Sequence, residues 1–200
     1  MKIVFVRIPK NASRSIKETN LFGRGPHETI DQIRSQGPYD ISFCVCRNPY
    51  SRFLSAYKNG REQFESRSYP YFIEFRSYPT FESFCLDSSN PFLHKQVTRM
   101  GHDHKPKQRS KHVHFIPQHQ WVAVRDKIEV DYVLRMETLE PDWEEFLLDI
   151  EIPHVDLDPI NQSSHIEWQE YYTDQMAEVV YNYYWKDFII FKYPKFSWSK

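Results

Sequence analysis

The chain has only five glycines in 200 residues. That leaves too few for a fold built on glycine turns or for a glycine-rich cofactor loop. Cysteine is almost as scarce, with Cys44, Cys46 and Cys85 the only three. Cys44 and Cys46 stand two apart on a segment that reads as a strand, so they share a face. That spacing is too tight for a routine disulfide, and three thiols are too few for a structural zinc site. The expectation is buried thiols in a reducing compartment. Charge of either sign is not in excess: the formal net charge is -1. A general nucleic-acid binder would be clearly basic, so that class is set aside. No apolar run approaches the roughly 20 residues of a membrane span. The opening MKIVFVRIPKN has a short apolar stretch broken by Arg7 and is not a signal peptide. The reading is a soluble, cytoplasmic protein with no membrane insertion.

Aromatics, in contrast, are abundant: 13 Tyr, 15 Phe and 5 Trp. Core filling is the default role for such side chains, with stacking on a ligand as the second. Residues Lys2–Ile8 form a nearly continuous apolar run that predicts a buried strand, ended by Pro9. A helix is expected over Ser13–Asn20, capped by Asn11 or Ser13. A second helix is expected over His27–Ser35. Ile41–Cys46 is the next buried strand. Helical spacing follows from Pro49 through Tyr50, Phe53, Leu54 and Tyr57, with proline suited to the first turn. Gly60–Pro79 reads as an irregular or short helical excursion, and Thr80–Leu86 as a short helix capped by Thr80. Val130–Arg135 is the third strand candidate. Trp143–Leu148 and Tyr171–Tyr184 are helical, and Phe188–Phe191 is an apolar ending. Strands alternating with helices predict an α/β, three-layer, P-loop-like domain with a central parallel sheet. With no linker or repeat, residues 1–200 read as a single domain.

Two segments carry chemistry. The first is Ile8-Pro9-Lys10-Asn11-Ala12-Ser13-Arg14-Ser15, between a strand and a helix. A turn there exposes backbone N–H groups to an anion, and the helix start adds a favourable dipole. Lys10 supplies a mobile cation, Ser13 and Ser15 hydroxyl donors, and Arg14 a second cation. The pattern G-x-x-x-x-G-K-[ST] is missing, which counts against an ATPase or kinase. The second is Cys46-Arg47-Asn48-Pro49-Tyr50-Ser51-Arg52-Phe53-Leu54-Ser55-Ala56-Tyr57. Arg47 ends a buried strand, where α/β sheets place ligands. Ser55 lies eight residues on, in the following helix. Each segment alone has a plain alternative: a charged surface turn, or a salt-bridged strand cap.

Together the segments resemble the sulfotransferases that use 3'-phosphoadenosine 5'-phosphosulfate (PAPS). The resemblance is to the carbohydrate branch, which includes the heparan sulfate 2-O-sulfotransferases and chondroitin enzymes. It continues through Pro117-Gln118, Leu134-Arg135-Met136-Glu137-Thr138-Leu139, Asn161-Gln162-Ser163-Ser164-His165, Glu170-Tyr171-Tyr172-Thr173 and Asp187-Phe188-Ile189-Ile190-Phe191-Lys192-Tyr193. It implies that residues 9–15 hold the 5'-phosphosulfate, with Lys10 at the bridging oxygen and sulfuryl group. It also implies that Arg47 and Ser55 hold the 3'-phosphate. The reaction implied is in-line transfer of a sulfuryl group to an acceptor hydroxyl on a carbohydrate or glycoconjugate. 3'-Phosphoadenosine 5'-phosphate is released, and no metal is expected. Many relatives have glycine where this chain has Ala12 or Ser13.

The candidate base is His27, which heads a predicted helix close to the first loop. An imidazole, titrating near about pH 6.5, suits proton abstraction near neutrality. Histidine serves in the corresponding stretch of the 2-O-sulfotransferases. Glu28 is the next candidate. The basic run Arg99–His114, with Lys105, Lys107, Arg109 and Lys111, borders the nucleotide or an acidic acceptor, or is simply solvated. Its histidines match no zinc pattern. His165 is a further pocket candidate. Trp121, Tyr171, Tyr172 and the Tyr69–Phe75 aromatics are candidates for stacking on adenine or a sugar, with the core as their plain alternative. Two other readings compete: an ATP-dependent small-molecule kinase, and a non-catalytic nucleotide-binding domain.

Overall fold

The structure, a computed structural model, describes residues 1–22, 27–66, 70–94, 111–157 and 167–199. In chain order the elements are β1 (Ile3–Val6), α1 (Ser13–Glu18), α2 (Ile30–Ser35), β2 (Ile41–Cys46), α3 (Pro49–Glu65), α4 (Phe81–Leu86), α5 (Pro91–His94), α6 (His119–Val122), β3 (Ala123–Val124), β4 (Lys127–Ile128), β5 (Tyr132–Arg135), α7 (Leu139–Asp149) and α8 (Asp174–Ile190). Short 3-10 turns fall between several of them, the longest at Pro70–Ser77. The chain divides into two compact units. Met1–Asn48 and Gln118–His165 make the first, and Pro49–Pro117 and Ile166–Lys200 the second.

The first unit is an α/β fold around a parallel sheet in the order β1-β2-β5. β2 is central because it is apolar on both faces: Phe43, Cys44, Val45 and Cys46 are all fully buried. Its register sets Phe5 beside Phe43 and Phe43 beside Tyr132. On that face Phe5 and Phe43 stack with ring centroids 4.7 Å apart, and Phe146 of α7 sits 4.5 Å from Phe43. Ile16 of α1 and Trp143 and Leu147 of α7 complete this core. At the N-terminal end of β2, the Ser42 N–H and hydroxyl both donate to Asp131 Oδ2. That pair fixes the entry to β5. Cys44 and Cys46 are free and buried, and burial pushes the Cys44 thiol well above its ordinary pKa.

The second unit packs α3, α4 and α8 around an aromatic core that includes Phe53, Phe75, Phe84, Phe92, Phe115 and Tyr184. Long-range hydrogen bonds cross this core. Tyr172 Oη donates to the Tyr50 carbonyl and Tyr184 Oη to the Phe115 carbonyl, 2.7 and 2.8 Å. Arg52 is fully buried, hydrogen-bonded to Tyr184 and attracted by Asp187.

Several element boundaries differ from expectation. Neither Asn11 nor Ser13 caps α1: the N-cap is Ala12, in the left-handed region, with no side-chain cap. Asn11 is committed to a strand edge instead. α2 begins at Ile30, not His27, because Thr29 and Gln32 form a reciprocal capping box that starts the helix there. α3 runs through Gly60 to Glu65, and the rest of the Gly60–Pro79 excursion is mainly the 3-10 turn. α7 starts at Leu139, four residues before Trp143. α8 starts at Asp174, capped by Thr173, and absorbs Phe188–Ile190. The β3–β4 hairpin, turned by Arg125 and Asp126 at φ 50° and 63°, carried no strand signal because each arm is two residues long. Among the described residues no helix is long and apolar enough to cross a membrane.

Candidate functional site

The C-terminal ends of β1 and β2 lie side by side in the sheet. Parallel strands deliver their following loops to one edge, where α/β proteins place ligands. After β1 the chain turns through Pro9-Lys10-Asn11-Ala12 into α1. Lys10 and Ala12 have positive φ, 72° and 48°, while Asn11 between them and Ser13 after them do not. Alternation of the sign of φ along a loop is the backbone pattern from which anion-binding concavities are built. Left-handed φ at a residue with a Cβ costs about 1 kcal/mol or more, so two such residues in one four-residue loop mark a constrained segment. Ser13 Oγ donates back to the Ile8 carbonyl at 3.1 Å, which closes the loop on itself. Pro9 is buried, Lys10 and Ser15 are half-buried and Arg14 is exposed.

Arg47 follows β2 directly and is half-buried. Its Nη1 donates to the Lys10 carbonyl at 3.3 Å, so the two sequence-predicted anion segments meet. Gln118, fully buried, joins them. Its Oε1 accepts from Asn11 Nδ2 at 2.6 Å and from the Arg47 N–H at 2.9 Å. Its Nε2 donates to the Arg47 carbonyl at 2.8 Å. Asn11 Nδ2 also donates to the Val45 carbonyl at 2.8 Å. Because Arg47 presents both a donor and an acceptor, the Gln118 amide has only one satisfactory orientation. That in turn fixes which end of the Asn11 amide faces it. Asn11 and Gln118 thus pair with the edge of β2 where β1 has turned away. One residue on, the Asn48 N–H donates to Glu137 Oε1 at 2.7 Å, and the Arg135 N–H donates to Asp142 Oδ2 at 2.7 Å. The exits of β2 and β5 are therefore held by side-chain acceptors.

His27 belongs to the same unit. Its Nδ1 lies 2.6 Å from the Arg7 carbonyl. A carbonyl only accepts, so Nδ1 carries the proton, and in the neutral ring Nε2 carries the basic lone pair. The Trp121 ring stands edge-on to His27, centroids 6.2 Å apart. Trp121 is buried, and its indole N–H has no hydrogen-bond partner among the described residues. Glu28, the second candidate base, accepts from Gln36 Nε2 at 2.7 Å in an exposed contact.

The remaining expectations fall elsewhere. Ser55 is half-buried on α3 in the second unit. Tyr172 is a core residue of that unit, and Tyr171 lies under the Lys58 ammonium, 4.2 Å from its ring centroid. Phe75 is buried in the same core, and Tyr69 lies outside the described residues. Of the basic run, residues 99–110 lie outside the described residues, as does His165. Gln118, which joins the two segments, is the residue that sequence reasoning missed. Pro117-Gln118 stood out as a pair, but no local pattern tied the glutamine to Asn11 and Arg47.

The sulfotransferase family's sequence model matches residues 1–194. This chain belongs to the sulfotransferase family. No curated protein and no solved structure matches it. Membership makes the chain a sulfuryl-transferring enzyme acting on a hydroxyl acceptor, and the parallel β1-β2-β5 sheet accords with that fold.

Proposed function

We propose that this sulfotransferase takes its sulfuryl group from PAPS and passes it in line to a hydroxyl on a carbohydrate or glycoconjugate. The observation that carries the proposal is the meeting of two anion segments: the Lys10 loop and Arg47, bonded to each other and to one buried glutamine. A donor with a 5'-phosphosulfate and a 3'-phosphate has two anionic ends to hold, which suits two cationic segments. The curved loop from Lys10 to Ser13 fits the first end. The Arg47 guanidinium, which presents a planar fork of donors, fits the second. Pro9, Arg14 and Ser15 join the loop, and Ser55 the 3'-phosphate contacts, on the sequence resemblance alone.

Bound PAPS supplies an activated sulfuryl group whose leaving group is a phosphate. His27 accepts the acceptor's hydroxyl proton at Nε2 as the new O–S bond forms. Its Nδ1–H, anchored on the Arg7 carbonyl, holds the ring in that tautomer. Glu28 already accepts from Gln36, which favours His27 as the base. Lys10 meets the electron pair released onto the phosphate oxygen as the old S–O bond breaks. The carbohydrate acceptor rests on the resemblance to that branch.

Calorimetric titration with 3'-phosphoadenosine 5'-phosphate, beside ATP with and without magnesium, tests the donor. The product is expected to bind without metal. Arg47→Ala is expected to weaken it by roughly tenfold or more, as for the loss of a hydrogen bond to a charged group. The test is clean because Arg47 holds Gln118 through its backbone, which the substitution keeps. Magnesium-dependent ATP binding with no affinity for the product would overturn the reading in favour of a kinase.

A further inference from the structure

The Gln118 side-chain amide bonds to both anion segments. Oε1 takes Asn11 Nδ2 and the Arg47 N–H, while Nε2 gives to the Arg47 carbonyl. With no exposed surface, it meets a ligand only through others. A buried amide with one satisfiable orientation transmits position: moving it breaks bonds to both segments at once. The Arg47 side chain springs from the backbone that Gln118 clamps, and its Nη1 reaches back to the Lys10 carbonyl at 3.3 Å. The ring Lys10–Asn11–Gln118–Arg47 therefore closes on itself. It fixes the separation between the phosphosulfate loop and the guanidinium.

We infer that Gln118 is a positioning residue that sets the spacing of the two anion segments and thereby makes the enzyme selective for nucleotides phosphorylated at both the 5' and 3' ends. This rests on the proposed donor site. Its signature is a selectivity: a mis-set spacing penalises a ligand that must touch both segments more than one that touches only the first.

The test compares 3'-phosphoadenosine 5'-phosphate with adenosine 5'-phosphate on wild type, Gln118→Ala, Arg47→Ala and the double variant. The wild-type preference for the bisphosphate is expected to fall roughly tenfold in Gln118→Ala. The losses from Gln118→Ala and Arg47→Ala should be strongly non-additive, because one acts through the other. Additive losses, or an unchanged preference, would overturn the inference. If the wild type shows no preference, the donor reading itself fails.

Gln118→Glu provides the second arm should the alanine variant not fold. A protonated carboxyl reproduces the amide's pattern, with one oxygen accepting and one O–H donating to the Arg47 carbonyl. An ionised one sets two acceptors against that carbonyl. The preference, normalised to wild type at each pH, should recover as pH falls through the carboxyl's titration. A pH-independent preference equal to wild type would sink the inference.

Discussion

Ala12 sits at φ 48° and ψ 11°, a conformation that asparagine and glycine tolerate far better than alanine. It also stands at the helix N-cap, yet has no side chain to offer as a cap. Replacing it by glycine removes the Cβ that conflicts with the left-handed backbone while leaving the loop's path unchanged. Ala12→Gly is expected to raise stability by about 1 kcal/mol, seen as a higher denaturation midpoint in urea. A fall in the midpoint would show that the alanine methyl contributes packing that outweighs its strain. At this scale the site was half legible. Lys10 and Arg47 stood out because each is a cation placed just after an apolar strand. Gln118 did not, because its partner Arg47 is 71 residues away and a neutral amide leaves no periodic trace. The cap was misplaced for a related reason. Asn11 is a strong cap residue by type, but its amide is drawn to the edge of β2, and the helix starts on alanine.

Elements were read best where one signal acted alone. β2 was found to the residue, since Ile41–Cys46 is apolar except for Ser42 and ends at Arg47. α4 followed Thr80, whose hydroxyl accepts from the Ser83 N–H at 3.1 Å. α3 was found at its start and missed at its end, because Gly60 reads as a break. In the structure Gly60 lies inside the helix, and packing explains it. A Cβ there would stand 2.2 Å from Cζ of Phe75, whose ring is fully buried against Phe84 and Phe92. Two effects then oppose each other in Gly60→Ala. Helix propensity favours alanine by about 1 kcal/mol, while overpacking a buried ring costs about 1–3 kcal/mol. With backbone-adjacent overlap this severe and a ring that has no exposed side to swing toward, overpacking wins. Gly60→Ala is expected to destabilise the protein by about 1–2 kcal/mol in a denaturant titration. A stabilised variant would mean that Phe75 repacks at little cost.

For the molecule as a whole, the path of the chain matters more than its length. The first unit is discontinuous: its sheet takes β1 and β2 from residues before Asn48, and β5 from residues after Gln118. A fragment ending at Pro117 would keep both anion segments and lose β5, α7 and the glutamine that ties the segments together. The Phe43 face would lose Trp143, Phe146 and Leu147. Such a fragment is expected to show neither a cooperative thermal transition for this sheet nor affinity for 3'-phosphoadenosine 5'-phosphate. Retained binding would show that residues 1–117 suffice for the donor site. The discontinuity was not legible, since no linker or change of composition marks either crossing. The reading of residues 1–200 as one domain rested on length and on the absence of a linker or repeat.

The pairing of Asn11 and Gln118 with the edge of β2 has an evolutionary consequence. A strand grows longer only if the backbone on both sides of it is rerouted. A rung made from a side chain is set by one codon. The body of this sheet, held by Phe43 and its neighbours, is hard to alter without loss. How far its ordered edge reaches beyond β1 is written at two positions, and each can change in a single step.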